Sequence, residues 1–215
     1  MSELCPLCLS QENGEFARVD ERVFFLCRHC DLRFLLRASR LSVDAEHERY
    51  RLHQNDIEDP GYQNFMRPLV DAVKQTCDSS SKGLDYGCGP SSVAVHLLNQ
   101  SGYELALYDP LFFSDLKVLE SCYDFIICTE VAEHFREPVQ DFRKLKSFLK
   151  PNGTLFVMTF LWAEPCLFEE WNYLRDFTHM SFYSTKTFEW IRKNFGFQKI
   201  EFLGDRIIVL HLNGF

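Results

Sequence analysis

The chain has 215 residues, 46% of them hydrophobic and 15% aromatic, and a formal charge of −8. That length allows one sizeable core plus a small appendage, and the acidic balance argues against a protein that grips nucleic acid through its overall field. No run of 18 or more apolar residues exists and the start M-S-E-L-C-P lacks a basic-then-apolar signal, so a soluble, cytoplasmic chain with no membrane partner is expected.

The nine cysteines divide into two close pairs and five singles (Cys77, Cys88, Cys122, Cys128, Cys166), which fits a reducing compartment and a metal site better than a disulfide framework. Cys5 and Cys8 form C-P-L-C, and Cys27 and Cys30 form C-R-H-C after eighteen intervening residues. This is the spacing of a four-cysteine zinc ribbon, in which four thiolates close a tetrahedron and the Zn²⁺ is structural. Between the pairs, Phe16 to Asp20 and Arg22 to Leu26 read as a hairpin turning at Asp20 and Glu21, and Leu32 to Leu36 as an exit strand. His29 lies inside the second pair, as a substitute ligand or a bystander. Five arginines (22, 28, 33, 37, 40) stand against one acid, Asp31. They could contact an anionic substrate or RNA, lie on a solvated face, or pair with the acids that follow.

The ribbon is assigned residues 1–40 and a polar linker residues 41–61, ending at the turn signal Asp59-Pro60-Gly61. A catalytic domain takes residues 62–215. Its first helix, Tyr62 to Cys77, has apolar residues at helical spacing, with Pro68 predicting a kink or a late start.

Gly83 to Asp109 then reads as a βαβ unit: a strand over Leu84 to Tyr86, a turn at Gly87 and Gly89, a helix over Ser92 to Asn99, a stop at Gly102, and a strand over Tyr103 to Tyr108. Glycines at the turn allow positive φ and a close backbone approach, and Asp109 lies where a carboxylate can hold a ribose diol. With Asp85 two residues before Gly87, the pattern acid-x-G-x-G resembles the class I S-adenosylmethionine-dependent methyltransferases. The resemblance implies Asp85 near the methionine amino group, Gly87 and Gly89 against the cofactor, and Asp109 on the ribose hydroxyls. Tyr86, Cys88, Thr129 and Glu130 complete the implied cofactor-binding set. Without a ligand, Asp85 would merely end a strand. Tyr50, His53, Asn55 and Tyr62 resemble a segment that precedes the cofactor domain in bacterial methyltransferases bearing such a ribbon and folds over the cofactor. The adenine contact is unassigned, with only Asp115 and Glu120 on offer.

Further strands are expected over Tyr123 to Thr129 and, after a turn at Pro151-Asn152-Gly153, over Thr154 to Phe160, with a helix over Pro138 to Leu149 between them. A helix over Thr185 to Asn194 stops at Gly196 and precedes a terminal hairpin, Phe197 to Leu203 and Arg206 to Leu212. The expected fold is thus α/β, a seven-stranded Rossmann-like methyltransferase sheet with a C-terminal antiparallel hairpin, plus the ribbon.

The residues just after each strand are the candidates for chemistry. Glu130, Glu133 and His134 stand at i, i+3 and i+4 and share one face if that turn is helical. His179 is a fourth candidate. This E-x-x-E-H pattern with a later histidine resembles the plant small-RNA 2′-O-methyltransferase and the ubiquinone-pathway catechol O-methyltransferases. The likeness implies Mg²⁺ or Mn²⁺ on Glu130, Glu133, His134 and His179, lowering the pKa of an acceptor hydroxyl. His134 as a metal-free base or substrate contact, and plain polar packing, stay open. The aromatic run from Phe160 to Tyr183 stands where a substrate lid is expected, stacking on an acceptor or packing against the core. Glu164, Glu169 and Glu170 would suit a cationic acceptor.

The reading is an S-adenosylmethionine-dependent methyltransferase for a small hydroxylated or aromatic metabolite, with O-methylation favoured. An RNA methyltransferase docking through the ribbon, and a non-catalytic cofactor-binding scaffold, are the alternatives.

Overall fold

The computed structural model describes residues 3–51 and 56–214, so His53 and Asn55 lie outside the described residues. The ribbon hairpin is β1 (Asn13–Val19) and β2 (Arg22–Cys27), with β3 (Arg33–Leu35) antiparallel to β2. Both cysteine pairs build the same loop. Leu9 N–H donates to Cys5 O and Asp31 N–H to Cys27 O, each at 2.9 Å, and Leu9 and Asp31 both take positive φ.

The polar stretch that reads as a linker contains α1 (Val43–Tyr50), capped by the Ser42 hydroxyl, which accepts from Ala45 N–H at 3.2 Å. What reads as a turn at Asp59-Pro60-Gly61 is a helix start. The Asp59 carboxylate accepts from Gly61 N–H at 2.8 Å, and Pro60 takes the first position of α2 (Pro60–Thr76), where a missing N–H costs nothing. Pro68 sits inside this helix on its exposed side, so the predicted late start does not occur.

Next come β4 (Gly83–Tyr86), α3 (Val93–Asn99), β5 (Leu105–Tyr108), β6 (Tyr123–Thr129), α4 (Pro138–Ser147) and β7 (Leu149–Met158). They are followed by β8 (Ser181–Phe182), α5 (Thr185–Phe195), β9 (Phe197–Leu203) and β10 (Ile207–Leu212). The main sheet has the order β5-β4-β6-β7-β10-β9, parallel up to β7 and antiparallel on both sides of β10. It has six strands, not the seven expected. Between Asp109 and Tyr123 the chain makes a single 3₁₀ turn (Leu116–Glu120), too short for a further crossover and strand.

Strand alternation divides the core. Phe125, Ile127, Phe156 and Met158 face α2 and α3, whereas Ile126, Cys128, Leu155 and Val157 face α4, α5 and the ribbon. Both faces are buried, as in a sheet covered by helices. The ribbon shares the second core through Leu7, Val23, Phe25 and Phe34. Its sheet also gains a fourth strand, because β8 pairs with β3 in the order β1-β2-β3-β8. Among the described residues no helix is long and apolar enough to cross a membrane.

Candidate active site

One cavity of about 1100 Å³ opens beyond the carboxyl ends of the parallel strands. Its floor is the loop after β4. Gly87 (φ 81) and Gly89 (φ 64) lie in the left-handed region, and a Cβ on Gly87 would stand 2.5 Å from Val131 Cγ2. The loop is bolted to β5, since Gly87 N–H and Cys88 N–H both donate to Tyr108 O, at 2.8 and 3.2 Å. Asp109 is fixed by three backbone donors: Gly89 N–H to Oδ2 at 3.1 Å, and Leu111 and Phe112 N–H to Oδ1 at 2.8 and 3.2 Å. A second lone pair on Oδ2 stays available to a ligand hydroxyl.

Asp85 does not line the cavity but lies beneath its floor, fully buried, with neither carboxylate oxygen in a hydrogen bond. Burial pushes its pKa up to about 7; the nearby Ser92 hydroxyl draws it down and Asp109 pushes it further up. A buried carboxylate without a partner is costly and calls for a cation or donor from outside the chain. The glycine cradle, the held Asp109 and the orphaned Asp85 together fit S-adenosylmethionine, whose amino acid and ribose ends need an acid each. Tyr86, Cys88, Thr129 and Glu130 also line the cavity, as do Pro110, Leu111 and Phe112. Neither Asp115 nor Glu120 does; Asp115 caps the 3₁₀ turn instead, accepting from Lys117 N–H at 3.0 Å.

Also on the cavity wall stand Glu133, His134 and His179, with one ligand-type atom from each within 4.8 Å of the others. Glu130 lies outside this cluster. The helical turn after β6 begins only at Ala132, and Glu130 has φ 52, so the i, i+3, i+4 face expected from the sequence does not form. Burial raises the Glu130 pKa to about 9, Glu133 adding to the rise and Arg206 opposing it, which favours its neutral form.

The two imidazoles are oriented alike. His134 Nδ1 faces Thr178 O at 3.2 Å and His179 Nδ1 faces Tyr173 O at 2.8 Å. A carbonyl only accepts, so both Nδ1 atoms carry the proton and both Nε2 atoms present lone pairs. Burial holds the His134 pKa below its usual range, which preserves that lone pair. Glu133 is fully buried, with Oε1 accepting from the Tyr173 hydroxyl and Oε2 unpartnered. Two imidazole lone pairs and one free carboxylate oxygen, backed by carbonyls and a phenol, fit a divalent cation and its outer shell.

Tyr173 stood out from the sequence only as one ring of the aromatic run, and nothing there tied it to Glu133, 40 residues away, which it orients. Of the roof, the sequence singled out Tyr50 and Tyr62, both of which line the cavity, but not Glu46 or Arg136. Glu46 and Tyr50 of α1 line the cavity, with Tyr50 OH donating to Glu46 Oε1 at 3.0 Å and the Arg136 guanidinium paired to Glu46 Oε2. Ser42 followed by Asp44 and Glu46, an N-cap residue with acids in the first turn, was the available signal for that helix, but its polar composition masked it.

The aromatic run mostly packs rather than lines. Phe168, Leu174, Met180 and Phe182 share a core with Phe24 and Leu35 of the ribbon, and Trp162, Phe168 and Trp171 do not reach the cavity. Glu164, Glu169 and Glu170 are exposed outside it. The arginines are likewise committed. Arg22 and Arg33 are buried, Arg37 pairs with Glu137 at 2.6 Å, and Arg40 donates to the Leu35 and Arg136 carbonyls. Arg28 and His29 are exposed, and His29 takes no part in the cysteine cluster. Cys5, Cys8, Cys27 and Cys30 have their sulfurs within 4.8 Å of one another, a four-thiol donor set that fits a closed Zn²⁺ site.

A family model described as a methyltransferase domain matches residues 60–201. A ubiquinone biosynthesis O-methyltransferase from Sodalis glossinidius is 33% identical over 78 residues, 36% of this chain and 31% of that protein. Among solved structures, an O-methyltransferase family protein from Burkholderia thailandensis superposes with a TM-score of 0.55 at 11% identity, covering 79% of this chain and 63% of that one. Magnesium protoporphyrin IX methyltransferase from Synechocystis, solved with bound S-adenosylmethionine, gives 0.52 at 16% identity over 80% and 92%. At these identities the structural likenesses carry the fold alone. The match to the curated relative spans about a third of that protein's length.

Proposed function

Because the chain belongs to the methyltransferase-domain family and is an S-adenosylmethionine-dependent methyltransferase, we propose that it methylates an oxygen of a small hydroxylated or aromatic acceptor, held beside Glu133, His134 and His179. The observation that carries this reading is the pair of imidazoles whose Nδ1–H groups are tied to carbonyls, leaving two Nε2 lone pairs beside a free Glu133 oxygen on the cavity wall.

S-adenosylmethionine supplies an electrophilic methyl group when bound. Gly87 and Gly89 give its backbone approach, Asp109 takes the ribose hydroxyls, and Asp85 offers its charge from below toward the amino end. The acceptor's own need is to lose a proton as oxygen attacks. A divalent ion on Glu133, His134 and His179 would lower that hydroxyl's pKa, and two imidazoles shift the preference from Mg²⁺ toward Mn²⁺ or a later borderline ion. Burial favours the neutral form of Glu130, which makes it a poorer base than His134 or His179. The chain residues thereby align two reactants, the larger part of what catalysis of a displacement requires.

A small acceptor is favoured over RNA by charge. The described lining carries eight acidic side chains (Glu46, Asp56, Asp59, Asp109, Glu130, Glu133, Asp141, Asp176), of which burial favours the neutral form of Glu130, and one guanidinium, Arg136, already paired with Glu46. Such a wall repels phosphates. The O-methyltransferase names of the relatives agree with an oxygen acceptor. We further propose that the four-cysteine cluster holds structural Zn²⁺ and that the chain works in the cytoplasm.

The test strips divalent ions with a weak chelator that spares the thiolate site, then follows labelled methyl transfer to a panel of catechols with and without added Mn²⁺. Restoration by Mn²⁺ is expected. Undiminished transfer in the stripped enzyme would remove the ion from the reading, and transfer to RNA but to no catechol would remove the acceptor class.

A further inference from the structure

The ribbon is tied to one half of the active site and not the other. Strand β3 pairs with β8, with Arg33 opposite Phe182 and Phe34 opposite Ser181. Immediately before β8, Met180 is bonded on both sides: its carbonyl accepts from Leu35 N–H of the ribbon at 2.9 Å, and its own N–H donates to Glu133 O at 2.8 Å. A single residue therefore joins the ribbon sheet to the turn that carries Glu133 and His134, and that residue follows His179 directly. Further ties run along the same segment. Arg22 Nη1 donates to Leu174 O at 2.8 Å, next to Tyr173, and its guanidinium stands 4.3 Å from the Phe177 ring. Arg33 stacks on Trp162 at 3.6 Å, and Ser184 Oγ donates to Asp31 Oδ2 at 2.5 Å.

These ties bracket the residues that orient the acceptor side. Tyr173 gives its hydroxyl to Glu133 and its carbonyl to His179, and Thr178 gives its carbonyl to His134. By contrast, the glycine loop and Asp109 are fixed by β4, β5 and the backbone of residues 108–113, with no ribbon contact in their hydrogen bonding. We infer that the ribbon is a positioning element of the acceptor half of the active site, holding the segment from Trp162 to Ser184 in register so that His179 and Tyr173 stand against Glu133 and His134. Arg22 and Asp31 are its positioning residues. A module that merely docks a partner would need none of these buried ties.

The inference rests on reading Glu133, His134 and His179 as the acceptor side, but its test uses no acceptor and no added ion. The full zinc-loaded chain is labelled with ¹⁵N-histidine, and S-adenosylhomocysteine binding is measured by calorimetry. The parent is expected to show two Nδ1–H resonances, from His134 and His179, slow to exchange with water. Arg22→Met with Asp31→Gly cuts the Arg22–Leu174 and Ser184–Asp31 ties, and with them the Arg33–Asp31 ion pair inside the ribbon, while keeping all four cysteines and the left-handed backbone at position 31. In that chain the two ring resonances are expected to broaden or vanish, while S-adenosylhomocysteine affinity stays within about twofold, as for groups that are not in contact. Asp31→Asn, which keeps an acceptor for Ser184 and tolerates the backbone, is expected to retain the signals. Ring signals unchanged in the double variant would overturn the inference. Loss of S-adenosylhomocysteine affinity in step with the signals would do so equally, because the ribbon would then support the whole fold and not one half of the site.

Discussion

Asp85 offers a measurement in which the cost of an empty site is read directly. Its carboxylate is fully buried without a hydrogen bond, and its pKa is raised from 3.8 to about 7, chiefly by burial. Below 3.8 the group is neutral folded and unfolded, and stability does not depend on it. Between 3.8 and about 7 the unfolded chain releases the proton while the folded chain keeps it, so the unfolded state binds fewer protons and stability falls as pH rises. Above about 7 the loss is complete, and at about 1.4 kcal/mol per unit it amounts to roughly 4 kcal/mol. Asp85→Asn is isosteric and does not titrate, so subtracting its stability from the parent's isolates this group from the other carboxylates. Urea unfolding of the cofactor-free chains between about pH 5 and pH 8 covers most of that window, and the difference should move by about 3 kcal/mol in favour of the variant. With saturating S-adenosylmethionine the order should reverse at the alkaline end, because the ligand's ammonium partners the carboxylate of the parent alone. Parallel stability curves without ligand would refute the argument, since they would mean that Asp85 is solvated or bonded in the folded chain.

Three further outcomes follow from the same geometry. Gly87→Ala would need positive φ and would press a methyl group 2.5 Å from Val131; it should cost about 1–3 kcal/mol in urea unfolding and abolish calorimetric S-adenosylmethionine binding. Asp109→Ala strands the Gly89, Leu111 and Phe112 N–H groups and should cost about 2 kcal/mol by thermal unfolding, with cofactor affinity falling in parallel. Tyr173→Phe keeps the ring and the carbonyl on His179 but removes the hydroxyl from Glu133, and should weaken Mn²⁺ binding roughly 10–100-fold by electron paramagnetic resonance. Unchanged Mn²⁺ affinity there would argue that Glu133 is not a ligand.

What the sequence made legible was whatever its local pattern determines. The strands Tyr123–Thr129 and Phe197–Leu203 match their expected limits, since apolar runs bounded by turn residues mark them. The Gly87, Gly89 and Asp109 constellation is found in one crevice because a βαβ unit of parallel strands leaves little freedom in where its turn and second strand tip meet. The misses have local causes too. α1 is mostly polar, so its period was hidden, and Asp59-Pro60 serves equally as a turn or a helix cap. Glu130 left the predicted face because one residue at φ 52 separates strand from turn, and side-chain spacing cannot report a dihedral.

The largest miss, the merging of ribbon and lid, joined two anomalies that the sequence displayed separately. One was a run of arginines with a single acid among them; the other was a run of rings too dense for a surface loop. A buried guanidinium is tolerated only if its donors and its charge are met. Arg22 and Arg33 meet theirs in part, each Nε lacking a partner, with Leu174 O, with Asp31, and with the faces of Phe177 and Trp162, which are partners that carry no opposite charge in three cases of the four. Counting acids near the arginines therefore led toward an open basic face, while the groups that neutralise it lay up to 152 residues away as aromatic faces and a carbonyl. Because β8 is only two residues long, no periodicity could announce the pairing. Arginine and ring contacts flank that pairing instead, Arg33 on Trp162 and Arg22 on Phe177, so the groups that accompany this strand alignment lie far apart in sequence and outside the strand itself.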